Sequence, residues 1–410
     1  MKKGQLESHL LVLLTLGLVA FGLVMVYSAT SAPAALAQTD PMSYLKKQGS
    51  YALFGLLLMI AASRFDYRRL RLLAPALVLT ALVGCLAVLA VGARINGARR
   101  WIELGPATFQ PSELAKLAIT VWAASYLCRR PPPRTLRELW RPIGLLLGLF
   151  CLLILAEPDL GTAISLVLVV MAILLVSGTP GTTLASAGGI AVALGLLAIW
   201  FEPYRRARIF SFLDPWKDPQ GAGFQTVQAL ISLGSGGAFG VGLGHGVAKV
   251  NYLPEAHTDM ILGVIGEELG LVGVAAVLGA FIAFAWAGLR VALTCKDPFG
   301  KRLAVGVVAL VSGQAVINLA AVLGLAPLTG IPLPLISYGG SSLVVTLLGV
   351  GVLLNIAGSG ARATAAVPDR RRGDGGTRRA VARGRGGPAA TRRPRDVRRV
   401  AGAHRGAARP

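Results

Sequence analysis

Charged side chains are scarce in this sequence, at 15% of its 410 residues against 54% hydrophobic ones. About a quarter of a soluble domain is charged, so a soluble enzyme of this length is excluded. Long polar stretches are missing as well. Segments of about 20 apolar residues, enough to cross a bilayer as a helix, recur along nearly the whole chain and leave no room for a soluble catalytic domain. Cysteine is rare: Cys85, Cys128, Cys151 and Cys295 lie in or beside apolar segments, which argues against a disulfide framework and a metal cluster. There are four histidines, and His257 has no second histidine at metal-ligand spacing. No internal repeat is visible, and with it goes the inverted-repeat pattern common in secondary transporters. The first apolar run, "LLVLLTLGLVAFGLVMVYSA", lacks a convincing cleavage site and is expected to stay as a first span.

Glycine and positive charge are plentiful instead, with 51 glycines and a net charge of +22. Much of the charge sits at one end. From Arg362 onward, fifteen arginines stand against three aspartates in a sequence of Arg, Gly, Ala and Pro that offers almost nothing to a core. Residues 359–410 are therefore expected to be a disordered basic cytoplasmic tail drawn to anionic membrane lipid, with no nucleic acid as partner.

Ten apolar spans are expected, at about 10–28, 46–63, 73–92, 112–128, 143–157, 160–177, 183–200, 260–289, 303–326 and 340–357. The fold class is thus an all-α polytopic membrane protein. The connections "RFDYRRLRLL", "RRPPPRTLRELWR" and "RVALTCKDPFGKR", with Lys2 and Lys3, hold fifteen Lys or Arg, a positive-inside signal that places both termini in the cytoplasm. Residues 1–9 become a cytoplasmic N-terminus and 10–358 the transmembrane domain. A large extracytoplasmic loop, 201–259, joins spans 7 and 8.

Ionisable groups at membrane depth are costly and usually face a cavity or a partner. In "NYLPEAHTDMILGVIGEELG", 251–270, Asp259 precedes Gly263, Gly266, Gly270 and Gly273, a stripe suited to close helix packing. At about 100° per residue, Glu267 lies about 80° from Asp259 and Glu268 on the opposite face, so only Glu267 is expected to share its interior. Local sequence leaves Asp259 balanced between a helix N-cap and a functional acid. His257 alone reads as a solvated or hydrogen-bonded loop residue. "FQPSELAKL" puts Glu113 and Lys116 on one helix face, as an internal salt bridge or a substrate site. "GARRWIELG" sets Arg99 and Arg100 beside Trp101, the pattern of an interfacial aromatic belt. "AEPDLGTA" is a tight break, and Glu157 and Asp159 are costly choices for a plain turn. "LGSGGAFGVGLGHG", 233–246, has GxGxG spacing without a preceding strand, so it reads as a flexible or re-entrant loop rather than a dinucleotide site.

The stretch "NLAAVLGLAPLTGIPLPLISYGGSS", Asn318 to Ser342, resembles the signature of the SEDS family (shape, elongation, division and sporulation). The segments "RWIELG", "FQPSELAKL", "EPDLGTA", "EPYRRARIFSFLDPWKDP", "GVGLGHG", "YLPEAHTDMI" and "GEELG" also look like family motifs in family order. The resemblance covers about 10–358. "KVNYLPEAHTDMI" is more similar to division or sporulation members than to elongation members, which usually lack the Ala-His pair. Thr108 departs from division-type relatives, many of which carry a cation there, and this puts a phosphate-binding role at that position in doubt.

The resemblance implies a peptidoglycan glycosyltransferase that polymerises lipid II at the outer face of the cytoplasmic membrane, at the division septum. An α-linked pyrophosphate donor giving a β-1,4 glycan needs one inverting displacement, for which one carboxylate can serve as base. By family match that base is Asp259. Arg100, Lys116, Arg205 and Lys249 are the expected outer-face cations for the anionic leaving group, with Glu113, Trp101, Ser337 and Ser341 also on the substrate. His257, Glu157, Asp159 and Glu267 are supporting residues. A divalent cation, Mg or Mn, is an expected aid, and no organic cofactor is expected. A class B penicillin-binding protein and other division proteins are the implied partners. A lipid II flippase, an elongation- or sporulation-type polymerase and a division scaffold are the alternative readings.

Overall fold

The computed structural model describes residues 5–36, 38, 40–95, 98–105, 107–250 and 252–365. The basic tail expected from sequence lies almost wholly outside the described residues. Ten long helices coincide with the ten expected spans: α1 Gln5–Leu36, α2 Ser43–Arg64, α3 Leu70–Val91, α4 Pro111–Arg129, α6 Leu145–Ala156, α7 Leu160–Ser177, α8 Gly181–Trp200, α11 Ile261–Thr294, α12 Pro298–Val322 and α13 Gly340–Ala365. The short helix α5, Leu136–Leu139, runs into α6 and completes that span, and α9, Pro203–Leu213, and α10, Phe224–Ser235, fold inside the long connection between α8 and α11. Eight of these segments are long and apolar enough to cross a membrane on composition alone. α2 and α4 are the more polar exceptions: α2 carries Lys46, Lys47 and Gln48, and α4 carries Glu113 and Lys116.

The helical bundle carries one small addition. The connection between α3 and α4 is a small antiparallel sheet, β1 Ala93–Ile95, β2 Ala98–Leu104 and β3 Ala107–Phe109, rather than a loop. It pairs Ala93 with Trp101 and Ile102 with Phe109. Strands this short carry too few residues to print an alternating pattern, which is why an all-α reading passed over them.

The helices bury two connected apolar cores. One is built by α1, α2, α11, α12 and α13, around residues such as Met25, Phe284, Phe299 and Leu347. The other is built by α3, α4, α6 and α7, around Phe150, Leu166 and Ile173. α4 belongs to both and is buried along most of its length, so its ionised pair is forced into the bundle. α8 is at the other extreme, burying only Thr183 and Leu184.

Helix ends follow local chemistry. Pro111 opens α4 at a position where a missing N–H costs nothing. Asp159 caps α7 through Thr162 N at 3.0 Å. Asp297 caps α12 through Gly300 N at 3.2 Å, with Pro298 beside it.

α11 is the irregular one. Gly270 sits at φ 65°, ψ −161° and breaks it, so the hydrogen bonds from Leu271 N to Glu267 O and from Val272 N to Glu268 O cannot form. The glycine-rich loop takes up all four freed groups. Val241 N donates to Glu267 O and Gly242 N to Glu268 O, both at 3.0 Å, while Leu271 N donates to Gly237 O at 2.9 Å and Val272 N to Ala238 O at 3.1 Å. Irregular backbone at membrane depth is tolerated where protein satisfies it in this way. Of the two readings open for 233–246, the re-entrant one fits: its first residues finish α10, and the rest docks into the break.

Candidate active site

Asp259 does not cap α11. The helix begins at Ile261 with no side-chain cap, and 252–260 is a run of turns. A helical-wheel angle from Asp259 to Glu267 therefore has no meaning, and the two carboxylates go different ways. Glu267 accepts from Val247 N at 2.8 Å and Ala248 N at 3.1 Å, which fastens the glycine loop. Asp259 is held by its main chain, its carbonyl accepting from Asn318 Nδ2 at 2.7 Å. The same amide reaches Ile331 O at 2.8 Å, so Asn318 ties the Asp259 turn to the loop between α12 and α13.

The Asp259 side chain is 8% exposed and accepts from Thr258 Oγ1 at 3.3 Å. Across from it, Arg208 on α9 donates to Leu328 O at 3.0 Å and lies over the Tyr204 ring. Gly330, at φ 72°, separates them. A Cβ built there would be 3.9 Å from Arg208 Nη1 and 4.0 Å from Asp259 Oδ2, so a glycine keeps open the space between a cation and an acid. Burial pushes the Asp259 carboxyl up to about 6, with the Glu255 carboxylate adding to the rise and Arg208 opposing it. An acid in that range is poised to exchange a proton near neutral pH.

His257 is neither solvated nor free. Its ring packs between Tyr44 (centroids 5.0 Å apart) and Tyr338 (5.6 Å), and its carbonyl accepts from Tyr338 N at 2.9 Å. Burial holds the imidazole below its usual range, hence neutral. Ser337 Oγ accepts from Leu333 N at 2.8 Å and closes the turn before Tyr338, while Ser341 is half-buried in the first turn of α13.

A second cluster lies where α4 and α7 begin and α6 ends. Arg100 Nε donates to Glu157 O at 3.0 Å, and its Nη2 donates to Pro158 O. Gln110 bridges Ser112 and Asp159, at 3.0 and 3.2 Å. Trp101 is half-buried in β2. Glu157 is fully buried in the turn between α6 and α7, and neither carboxylate oxygen has a hydrogen-bond partner. Burial and the neighbouring Asp159 push its carboxyl up to about 8, against the opposing pull of the Cys85 thiol and Arg100. Gly161, in the first turn of α7, packs on Ile331 and Thr329, so both clusters flank the same 329–331 segment. Lys116 and Glu113 form a 2.8 Å salt bridge, 1% and 4% exposed, inside α4.

Two expected outer-face cations are committed elsewhere. Lys249 is buried, donating to Glu268 at 2.6 Å, Gly244 O at 2.8 Å and Ser28 at 3.0 Å, and Glu268 also accepts from Ser28 at 2.7 Å. Glu268, left without a role by the sequence, is thus the anchor of Lys249. Arg205 donates to Leu155 O at 3.0 Å and Ala198 O at 3.1 Å, tying α9 to the ends of α6 and α8. Arg208 is the cation that faces Asp259. Sequence reasoning passed over it because "YRRARIF" offers three arginines and only the docked phase of α9 selects one.

Among the described residues, no three His, Cys, Asp or Glu side chains gather as a metal-holding group. Glu255, whose carboxylate raises that of Asp259, accepts from Thr258 Oγ1 at 2.7 Å.

Comparison with known proteins gives the family. Residues 8–361 fit the FtsW/RodA/SpoVE family model, described as cell cycle protein. The chain is 42% identical over 353 residues to the probable peptidoglycan glycosyltransferase FtsW of Geobacter sulfurreducens, covering 84% of this chain and 94% of that one. It is 39% identical over 351 residues to stage V sporulation protein E of Bacillus subtilis, covering 85% and 96%. Among solved structures, it matches a chain from a peptidoglycan synthase complex that coordinates polymerization and crosslinking, with TM-score 0.72, 35% identity and coverage of 85% and 97%. It also matches the rod shape determining protein RodA of Thermus thermophilus, with TM-score 0.63, 32% identity and coverage of 85% and 96%. A multi-pass membrane protein, the chain belongs to the FtsW/RodA/SpoVE family, the SEDS proteins that its motifs resemble.

Proposed function

We propose that the protein is a division-type peptidoglycan glycosyltransferase that polymerises lipid II at the outer face of the cytoplasmic membrane, with both termini in the cytoplasm and the septum as its place of work. The observation that carries this reading is the buried Asp259 carboxyl, facing Arg208 across Gly330 at the outer end of α11. Asp259 takes the proton from the acceptor GlcNAc 4-hydroxyl as its oxygen attacks the anomeric carbon of the lipid-linked MurNAc. The C–O bond to pyrophosphate breaks on the opposite side, giving inversion and releasing undecaprenyl pyrophosphate. Arg208 spends one donor on Leu328 and keeps others in its five-donor fork for phosphate oxygens. Asp259 or Glu255, together with the substrate, would hold a divalent cation such as Mg or Mn, which would add charge neutralisation at the leaving group. Glu113 and Lys116 neutralise each other within the bundle and shape the wall of the site, and Arg100 and Asp159 hold the turns that border it.

A class B penicillin-binding protein is the partner this reading implies for the crosslinking that follows polymerisation. The test is polymerisation of lipid II by the purified chain with its cognate transpeptidase, comparing wild type with Asp259→Ala. Glycan strands from the wild type alone support the reading. Equal polymerisation by both removes Asp259 as base. Headgroup translocation in vesicles without polymerisation by either makes the protein a flippase instead.

A further inference from the structure

Tyr44, Gln48 and Tyr51 recur at spacings of four and three residues and so share one face of α2. That face touches the turn at 257, the 337–340 segment and β3. Tyr44 meets the rings of His257 and Tyr338, at 5.0 and 5.2 Å. The Tyr51 hydroxyl accepts from Thr108 N at 3.0 Å, and its ring lies against Gly340. Gln48, 1% exposed, uses both ends of its amide: Nε2 donates to Ser337 O at 3.1 Å, and Oε1 accepts from Gly339 N at 3.4 Å. The residue it straddles is Tyr338, whose N–H holds the His257 carbonyl. The Asp259 turn therefore has two backbone tethers. Asn318 holds residue 259 directly, and Gln48 holds residue 257 through Tyr338.

We infer that Gln48 is a positioning residue, clamping 337–339 so that Tyr338 fixes the turn carrying Asp259 opposite Arg208. A buried amide with both ends satisfied orders what it binds, whereas one left half-satisfied is destabilising. Glutamate at this position keeps the size and the acceptor but turns the donor into a second acceptor aimed at the Ser337 carbonyl. Methionine keeps the volume and removes both. This role rests on the glycosyltransferase reading only for its catalytic consequence, because the clamp itself is a statement about backbone order.

The experiment uses the full chain with its transpeptidase in nanodiscs. It compares wild type, Gln48→Glu, Gln48→Met and a control, Leu53→Ala, at a position of α2 that is 62% exposed. Amide exchange at 337–343 and 253–260 is expected to quicken in both Gln48 variants and stay as wild type in the control. Lipid II turnover should fall in kcat by at least about tenfold with KM within about twofold, the pattern of lost transition-state positioning. Unchanged exchange in both Gln48 variants, or a raised KM with kcat unmoved, overturns the inference. Should the wild type fail to polymerise, the glycosyltransferase reading falls and the exchange measurement still decides the clamp.

Discussion

The Asp259 carboxyl accepts a long hydrogen bond from Thr258, while its main-chain oxygen is held at 2.7 Å by Asn318, so position is fixed and the side chain left for chemistry. Asp259→Asn should reduce polymerisation by about 10²–10⁴-fold, the usual worth of a general base, with lipid II binding retained. Because the base must be ionised and burial holds it near 6, the wild-type rate should climb with pH through about 6 and level off above. Gly330→Ala tests the gap itself. An alanine at φ 72° costs about 1–3 kcal/mol of backbone strain and puts a methyl between Arg208 and Asp259, so kcat should fall in a chain that still folds. Glu157 makes a separate prediction. Its folded value near 8 lies above that of an ordinary carboxyl, so stability is full at low pH and is lost as pH rises through about 8. Glu157→Gln should match wild type near pH 4 and melt at a higher temperature near pH 8. At this scale the motifs single out both Asp259 and Lys249, and the structure separates their surroundings. A motif marks that a residue matters, while burial against Glu268 and Ser28 decides whether its charge is free.

Among the elements, eight of the long segments were readable because each is apolar over a bilayer's depth, while α2 and α4 were readable from shorter apolar runs beside their charged residues. The β1–β3 sheet and the start of α11 were not, since both depend on contacts distant in sequence. The break in α11 was half-visible: Gly270 belongs to the glycine stripe, but Gly263 and Gly266 pack on α10 whereas Gly270 bends the chain to receive the loop. The buried Lys249–Glu268 pair then joins α1, that loop and α11 through Ser28. Removing one partner strands a buried charge, so Lys249→Met or Glu268→Gln should each cost about 3–5 kcal/mol. The double variant Lys249→Met with Glu268→Met should cost less than the sum, a coupling readable in a double-mutant cycle of melting in detergent.

For the molecule as a whole, charge placement and packing agree. Arg64, Arg68, Arg69, Arg71, Arg137 and Arg302 crowd one end of the bundle, while Asp259, Arg208, Arg100 and Trp101 lie toward the other. A cysteine replacing the exposed Lys217 should react with a membrane-impermeant maleimide in intact spheroplasts, and one replacing the exposed Arg137 only after lysis. The reverse pattern would invert the topology and put the site on the wrong side for its substrate. Sequence gave the number and order of spans but not that α4 stands between two cores while α8 stands nearly outside both, because hydropathy counts apolar residues without saying which neighbours cover them.

The broken helix carries one more consequence, for inheritance and engineering. Four hydrogen bonds pair Gly237, Ala238, Val241 and Gly242 with Glu267, Glu268, Leu271 and Val272 in fixed register, so inserting or deleting a single loop residue misaligns both partners at once. Residues 236–272 therefore form a single cassette. A chimera that exchanges the whole stretch between relatives keeps its donors and acceptors matched, and one that exchanges the loop or the helix alone leaves backbone groups stranded in lipid.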